Sequence, residues 1–292
     1  MHEEQNPQAS VSAAAAVPEV ERSACRNCGA VLTGQFCAEC GQKDVNLNPT
    51  MLDFVHEVWH ELLHVDGKLI PTVRMLLTAP GALTLEYYAG RRARYISPMR
   101  LYLVFSILFF AVAAITPDVN FRVTVSAAPK SGWTVDLNSA NRSSDPMELH
   151  KHGFESQEQF QQAVRDKVKD WMPRLMFLLV PLFAALVGLV ERNLRWNYPR
   201  HMHFALHLHA TWFLLLIISR VIRILTFQKL SLVISIFFAM VMVGYFVLAL
   251  RRTYSVTLGG AIWRTLAIGG SYGVFFVMAL LGIVLMTLNG KP

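Results

Sequence analysis

Charge is scarce in this sequence. Asp, Glu, Lys and Arg make up 16% of 292 residues, where a soluble domain carries about a quarter. The shortfall excludes a chain built mainly of water-soluble domain and points to a bilayer. A mean hydropathy of +0.37 agrees with this. Acidic residues are the scarcer sign, 20 against 27 basic, for a formal charge of +7. In a soluble protein that excess would suggest nucleic acid. Here Lys and Arg sit beside apolar runs, as membrane proteins place them, so nucleic acid is the weaker reading and the lipid bilayer the stronger. A basic n-region is also lacking: the Ala-rich run 11–17 follows Glu3 and Glu4, so no signal peptide is expected there. Residues 1–24 read as a disordered leader of Gln, Ser, Ala and Pro.

Cysteine is confined to one window, CRNCGAVLTGQFCAECGQK, as Cys25, Cys28, Cys37 and Cys40. Two C-x2-C pairs, each followed by glycine (Gly29 and Gly41), predict a small ribbon of two knuckles over residues 25–43. Glycine suits the tight turn after each pair because it tolerates positive φ. Four thiolates fill a tetrahedral zinc shell and leave no open position, so one structural zinc per chain is expected, not a catalytic one. The alternative is two disulfides, which the paired spacing disfavours. A reduced site argues for the cytoplasm. Few basic residues flank it, which favours a protein contact over nucleic acid.

The region 50–100 reads as amphipathic and interfacial. Its first helix, 51–66, has an apolar face with Phe54, Trp59 and Leu62, and a polar face with His56, Glu57, His60, Glu61 and His64. The polar face spells H-E-x-x-H twice, the pattern of zinc proteases. His56 and His60, one turn apart, could share an ion. His56 and His64 lie about 12 Å apart along the axis at 1.5 Å per residue, too far to join them. No third ligand motif follows, and the helix lies outside the apolar runs. A membrane-associated metalloprotease with a second metal at His56 and His60 is therefore the weakest of three readings.

Five apolar segments follow, at 101–115, 175–190, 204–218, 230–250 and 266–288. A span needs about 20 residues, so the first three borrow from their polar flanks. Pro181 is expected to kink the second, and Gly269 and Gly273 to make a close-packing face in the fifth. The polar segment 116–172 reads as an external loop, with strand-like alternation in FRVTV and GWTVDL and a helical later part. The fold expected is an all-α membrane protein of about five transmembrane helices, 101–290, with an N-terminal four-cysteine zinc ribbon. Arginines before the first span, between the second and third, and between the fourth and fifth place the N-terminus in the cytoplasm. Arg220, Arg223 and Lys229, and likewise Lys167, Lys169 and Arg174, fall on the far side and count against that orientation.

YPRHMHFALHLHATW carries His201, His203, His207 and His209 into the third span. Ionisable residues in a span face the bundle interior and mark a pathway or site. The competing account is imidazoles bonded to carbonyls or headgroups.

The stretch 65–110, with Asp66, Gly67, Lys68, Pro80, Gly81, Glu86, Tyr87, Gly90, Arg91, Arg92, Tyr95, Pro98 and Arg100, resembles a bacterial membrane family, domain of unknown function 3667. The ribbon and the histidines His201, His207 and His209 share in the resemblance. Where the family pattern has a Glu before the first histidine, this chain has Arg200. The resemblance implies a bacterial inner-membrane protein and brings no reaction. On the residues alone, Pro80-Gly81 breaks a helix begun near Pro71, the arginine cluster meets phosphate headgroups, and Tyr95 and Tyr102 anchor the interface. Glu86, Tyr87, Arg91, Arg92, Tyr95, Arg100, His201, His207 and His209 are the functional or headgroup-binding candidates. The function expected is a non-enzymatic interaction or envelope-organising module whose ribbon contacts a cytoplasmic protein, able to homo-oligomerise. A transporter or channel using the His-rich span is the alternative.

Overall fold

The computed structural model describes residues 24–44, 50–53, 68–116, 123–128, 132–137, 150, 152–194, 196–226 and 230–289. The leader, most of the helix expected at 51–66, and with it His56, His60 and His64, lie outside the described residues. The chain divides into two units, residues 1–45 and 46–292.

In the first unit the sequence ACRNCGAV is echoed by FCAECGQK, and the two stretches fold alike. Single bridges Ala24–Val31 and Phe36–Lys43 close two hairpins. Within each, the first cysteine's N–H donates across the turn, Cys25 to the Ala30 carbonyl (2.7 Å) and Cys37 to the Gln42 carbonyl (2.8 Å). Gly29 and Gly41 take φ of 82° and 69°, the left-handed conformation their position requires.

In the second unit a helix begins at residue 51, capped reciprocally by Thr50 and Asp53: each backbone N–H donates to the other's side chain, at 2.9 and 3.2 Å. After the undescribed stretch come two short helices, α1 (Leu69–Thr78) and α2 (Ala82–Tyr88). Five long apolar helices follow: α3 (Pro98–Ile115), α4 (Gln157–Val190), α5 (Tyr198–Leu225), α6 (Ser231–Thr253) and α7 (Leu258–Asn289). Each is long and apolar enough to cross a membrane. Proline opens α3 and α5 near their first position, where a missing N–H loses nothing. An antiparallel hairpin, β1 (Val123–Ala128) with β2 (Gly132–Leu137), pairs Val123 with Leu137 and Ala128 with Gly132.

Three expectations are refined or corrected. The helical later part expected within 116–172 starts at Gln157 and is continuous, as α4, with the second apolar segment through Pro173 and Pro181. Its 34 residues span about 50 Å at 1.5 Å per residue, well beyond a hydrocarbon core of about 30 Å. The polar first half instead packs Phe160 and Val164 with Phe154 against Val284 and Leu288 of α7. His152 Nδ1 donates to the Leu288 carbonyl at 2.9 Å. Second, Gly269 and Gly273 are not a close-packing face within the chain, since a Cβ at either would meet nothing within 4 Å. Third, Tyr102 is no interface anchor. It is buried, with Phe177 and Phe213 ring centroids 5.9 and 5.8 Å away.

The central helix is α5. It packs against α3, α4 and α6, and from Pro199 to Thr211 every residue but Arg200 is buried. At its far end Arg220 turns back to cap α3, bonding to Thr116 and reaching the Ala113 carbonyl at 3.4 Å.

Candidate functional site

The four cysteines come together. Their sulfurs all lie within 4.8 Å of one another, Cys25 to Cys40 at 3.6 Å and Cys28 to Cys37 at 3.5 Å. A tetrahedral ion held at about 2.3 Å from each sulfur sets sulfur–sulfur edges near 3.8 Å, so the donor set fits a metal. None of the four is in a disulfide. The backbone N–H of Gln42 holds the Cys40 thiol down to about 6. Cys28, though drawn down by the backbone of Ala30, is pushed up to about 12 by its hydrogen bond with Cys37. Without a cation Cys28 resists ionisation, and a divalent ion would favour its thiolate.

The second constellation is built by α1 and α2, which form a hairpin lodged in the bundle. Pro80-Gly81 makes its turn. Gly81 has φ 76° and approaches α6 so closely that a Cβ would lie 2.7 Å from Thr253 Oγ1 and 2.8 Å from the Ala249 carbonyl. The depth of insertion can be read from its bonds. The Thr84 hydroxyl meets His207 Nδ1 at 2.9 Å. The Leu76 carbonyl accepts from the Tyr245 hydroxyl at 2.8 Å, and Tyr245 in turn accepts from Thr211 at 3.3 Å. Thr211 is the middle of α5. Leu76 is buried, so its carbonyl near the end of α1 needs a partner from the protein, and Tyr245 supplies it.

The sequence candidates divide accordingly. Tyr87 lies against the histidine row, 4.6 Å between ring centroids from His203 and 6.2 Å from His207. The Arg92 guanidinium covers its other side at 4.0 Å. Glu86 and Arg91 form a two-pronged ion pair, both contacts 2.6 Å. The Arg91 bond holds the Glu86 carboxyl below its ordinary value, and Glu86 raises Arg91. Tyr95 packs partly buried against the core, and Arg100 is half-buried in the first turn of α3. His201 Nδ1 meets the Tyr254 hydroxyl at 3.0 Å with the rings stacked. His209 donates from Nδ1 to the Ala205 carbonyl at 2.8 Å, and its Nε2 accepts from Tyr272 at 3.0 Å. His207 Nε2 is buried with no hydrogen-bond partner among the described residues.

Over residues 66–110 the chain matches the family model described as Protein of unknown function (DUF3667). The DUF3667 match thus runs from just before the hairpin through the arginine cluster to most of α3. No curated protein and no solved structure matches the chain.

Sequence reasoning missed Thr84, Tyr88, Tyr245, Tyr254 and Tyr272, the partners that meet α5. It also missed the ion pair of Arg264 with Glu191, 2.7 Å. Glu191 ends α4 and is buried. Burial raises its carboxyl, and Arg264 opposes that rise.

Proposed function

We propose that this is a bacterial inner-membrane protein, N-terminus in the cytoplasm, that acts as a non-enzymatic interaction module through a zinc-bearing ribbon. The observation that carries the reading is the closed sulfur shell. Four thiols spaced for a tetrahedral ion leave no coordination position for a substrate, which is the pattern of a structural zinc. Around that shell the ribbon offers exposed apolar side chains, Val31 at 55% and Phe36 at 59% exposure, suited to a cytoplasmic protein partner. Charge supports the orientation. Arg91, Arg92, Arg94, Arg100, Arg192, Arg200, Arg251, Arg252 and Arg264 sit at one end of the bundle, where Glu86 and Glu191 are the carboxylates among the described residues. The opposite end mixes both signs. The test is zinc per purified chain and the proteins that copurify. One zinc, lost in Cys28→Ser together with the copurifying partner, is expected. A ribbon variant that changes neither zinc nor partner refutes the reading.

A second reading, a transporter or channel, draws on His207. Its unpartnered Nε2 lies beside a hairpin that reaches the middle of α5, the kind of buried polar group that marks a pathway. Flux in proteoliposomes that is abolished in His207→Ala would favour it, and unchanged flux would dismiss it.

A further inference from the structure

Where the hairpin turn meets the end of α6 there is a recess of about 340 Å³, lined by Pro80, Leu248, Arg251, Arg252, Ser255 and Val256. We propose that it binds the phosphate of an anionic phospholipid, with Arg251 and Arg252 as the cationic contacts.

Tyr254 N–H donates to the Leu250 carbonyl and Val256 N–H to the Arg251 carbonyl, a closure that needs a left-handed residue between them. That residue is Ser255, φ 53°, the one positive-φ residue other than glycine among the described residues. Two of the carbonyls at the helix end are thus satisfied by backbone, so they do not compete for the guanidiniums beside them. The carboxylates of this end are taken as well: Glu86 by Arg91 and Glu191 by Arg264. Arg252 places one N–H on the Pro80 carbonyl at 3.2 Å, which ties it to the rim of the recess and leaves further donors. Arg251 pairs with no carboxylate among the described residues. A guanidinium has five donors in a planar fork that matches two phosphate oxygens.

The remaining walls choose the source of the phosphate. Leu248 and Val256 are apolar, and α6 is the span with least of its surface covered by protein, 11% of its most apolar window. Lipid chains therefore run along the helix whose last turn carries both arginines. A diacyl lipid can lay a chain on Leu248 and its phosphate on Arg251 and Arg252; a free phosphate uses only the second half. The volume is that of a small-ligand site.

The experiment titrates brominated-chain phosphatidylglycerol into the full-length protein in neutral detergent micelles and follows tryptophan quenching. Phosphatidylcholine and inorganic phosphate are the comparison arms. At about 1 kcal/mol per basic contact, Arg251→Gln should weaken binding about fivefold and the Arg251→Gln/Arg252→Gln pair about 30-fold. Arg94→Gln removes an exposed charge of the same end and should change it less than twofold. Among the described residues the Arg251 side chain makes no hydrogen bond or ion pair, so the single variant keeps the test valid if the double variant fails to fold. The proposal is overturned if Arg94→Gln costs as much as Arg251→Gln, which would mean a diffuse positive field. It is equally overturned if Arg251→Gln binds as wild type, or if inorganic phosphate displaces the lipid at matched concentration.

Discussion

Removing Arg264 should destabilise the protein strongly at neutral pH and progressively less on acidification, while removing its partner should cost far less. Glu191 is 3% exposed and Arg264 28%, so the two ends of this ion pair face different alternatives when widowed. At 2.7 Å the gross attraction is about 6 kcal/mol at an effective dielectric near 20. The loss in Arg264→Gln cannot reach that figure, because the stranded carboxyl can take up a proton instead. From its ordinary value of 4.5, protonation at neutral pH costs about 3 kcal/mol, at 1.36 kcal/mol per unit. That is the upper bound on the destabilisation, because burial already raises the paired carboxyl in the wild type, and protonation wins over unpaired burial. The sign follows. In the variant the folded-state carboxyl is raised above its unfolded value, so stability is full below about 4.5 and lost as pH climbs toward the folded value. The deficit should shrink by about 1.4 kcal/mol per unit on acidification and vanish near pH 5. Glu191→Gln leaves an arginine that can turn to water, and should cost about 1 kcal/mol at neutral pH and less on acidification, as the wild-type carboxyl itself takes up a proton. Reversible unfolding in mixed micelles, followed by SDS titration from acid to neutral pH, reads both. A deficit in Arg264→Gln that does not change with pH, or one matched by Glu191→Gln, would refute the reasoning.

Three other substitutions probe the hairpin and the end of α6. Gly81→Ala puts a methyl within 2.8 Å of the Ala249 carbonyl on a left-handed backbone; it should destabilise by about 3 kcal/mol or more, seen as a lost or much lower unfolding midpoint. Thr84→Val strands the buried Nδ1 of His207 and should cost about 1–3 kcal/mol, whereas Thr84→Ser should cost little. Ser255→Gly relieves the left-handed strain at φ 53° and should raise stability by about 1 kcal/mol. A neutral or destabilising result there would mean the serine hydroxyl contributes more than its backbone loses.

The five spans were legible because each is a long apolar run, and apolar length is a local property of the sequence. The ribbon was legible for the same reason: four ligand residues in one window state their own spacing. The hairpin was not. Its helices of 10 and 7 residues are too short to register as spans, and their burial depends on Tyr245 and His207, more than a hundred residues on. The histidine row showed in sequence, but its partners Tyr254 and Tyr272 did not, since nothing local links a tyrosine on α6 or α7 to an imidazole on α5. Once bonded to Tyr254 and Tyr272, His201 and His209 read as interior groups with partners, while His207 Nε2 has none among the described residues. Glu86 and Arg91 are five apart, off the usual helical pairing, and meet only because the chain turns at Gly90, φ 80°.

The long reach of the hairpin bonds sets an order of manufacture. Thr84 waits for a partner 123 residues later and Leu76 for one 169 later. At 5–20 residues per second, synthesis takes about 6 to 35 s to supply them. During that interval α1 and α2 have been made but the helices that bury them have not. Within the segment matched by the family model, Thr84 and Leu76 can take up these bonds only after α5 and α6 have been made. A chain cut short before α5 would therefore lose the native site of its best-recognised stretch, and its newly made form presents to the translocation machinery an apolar hairpin with nowhere yet to go.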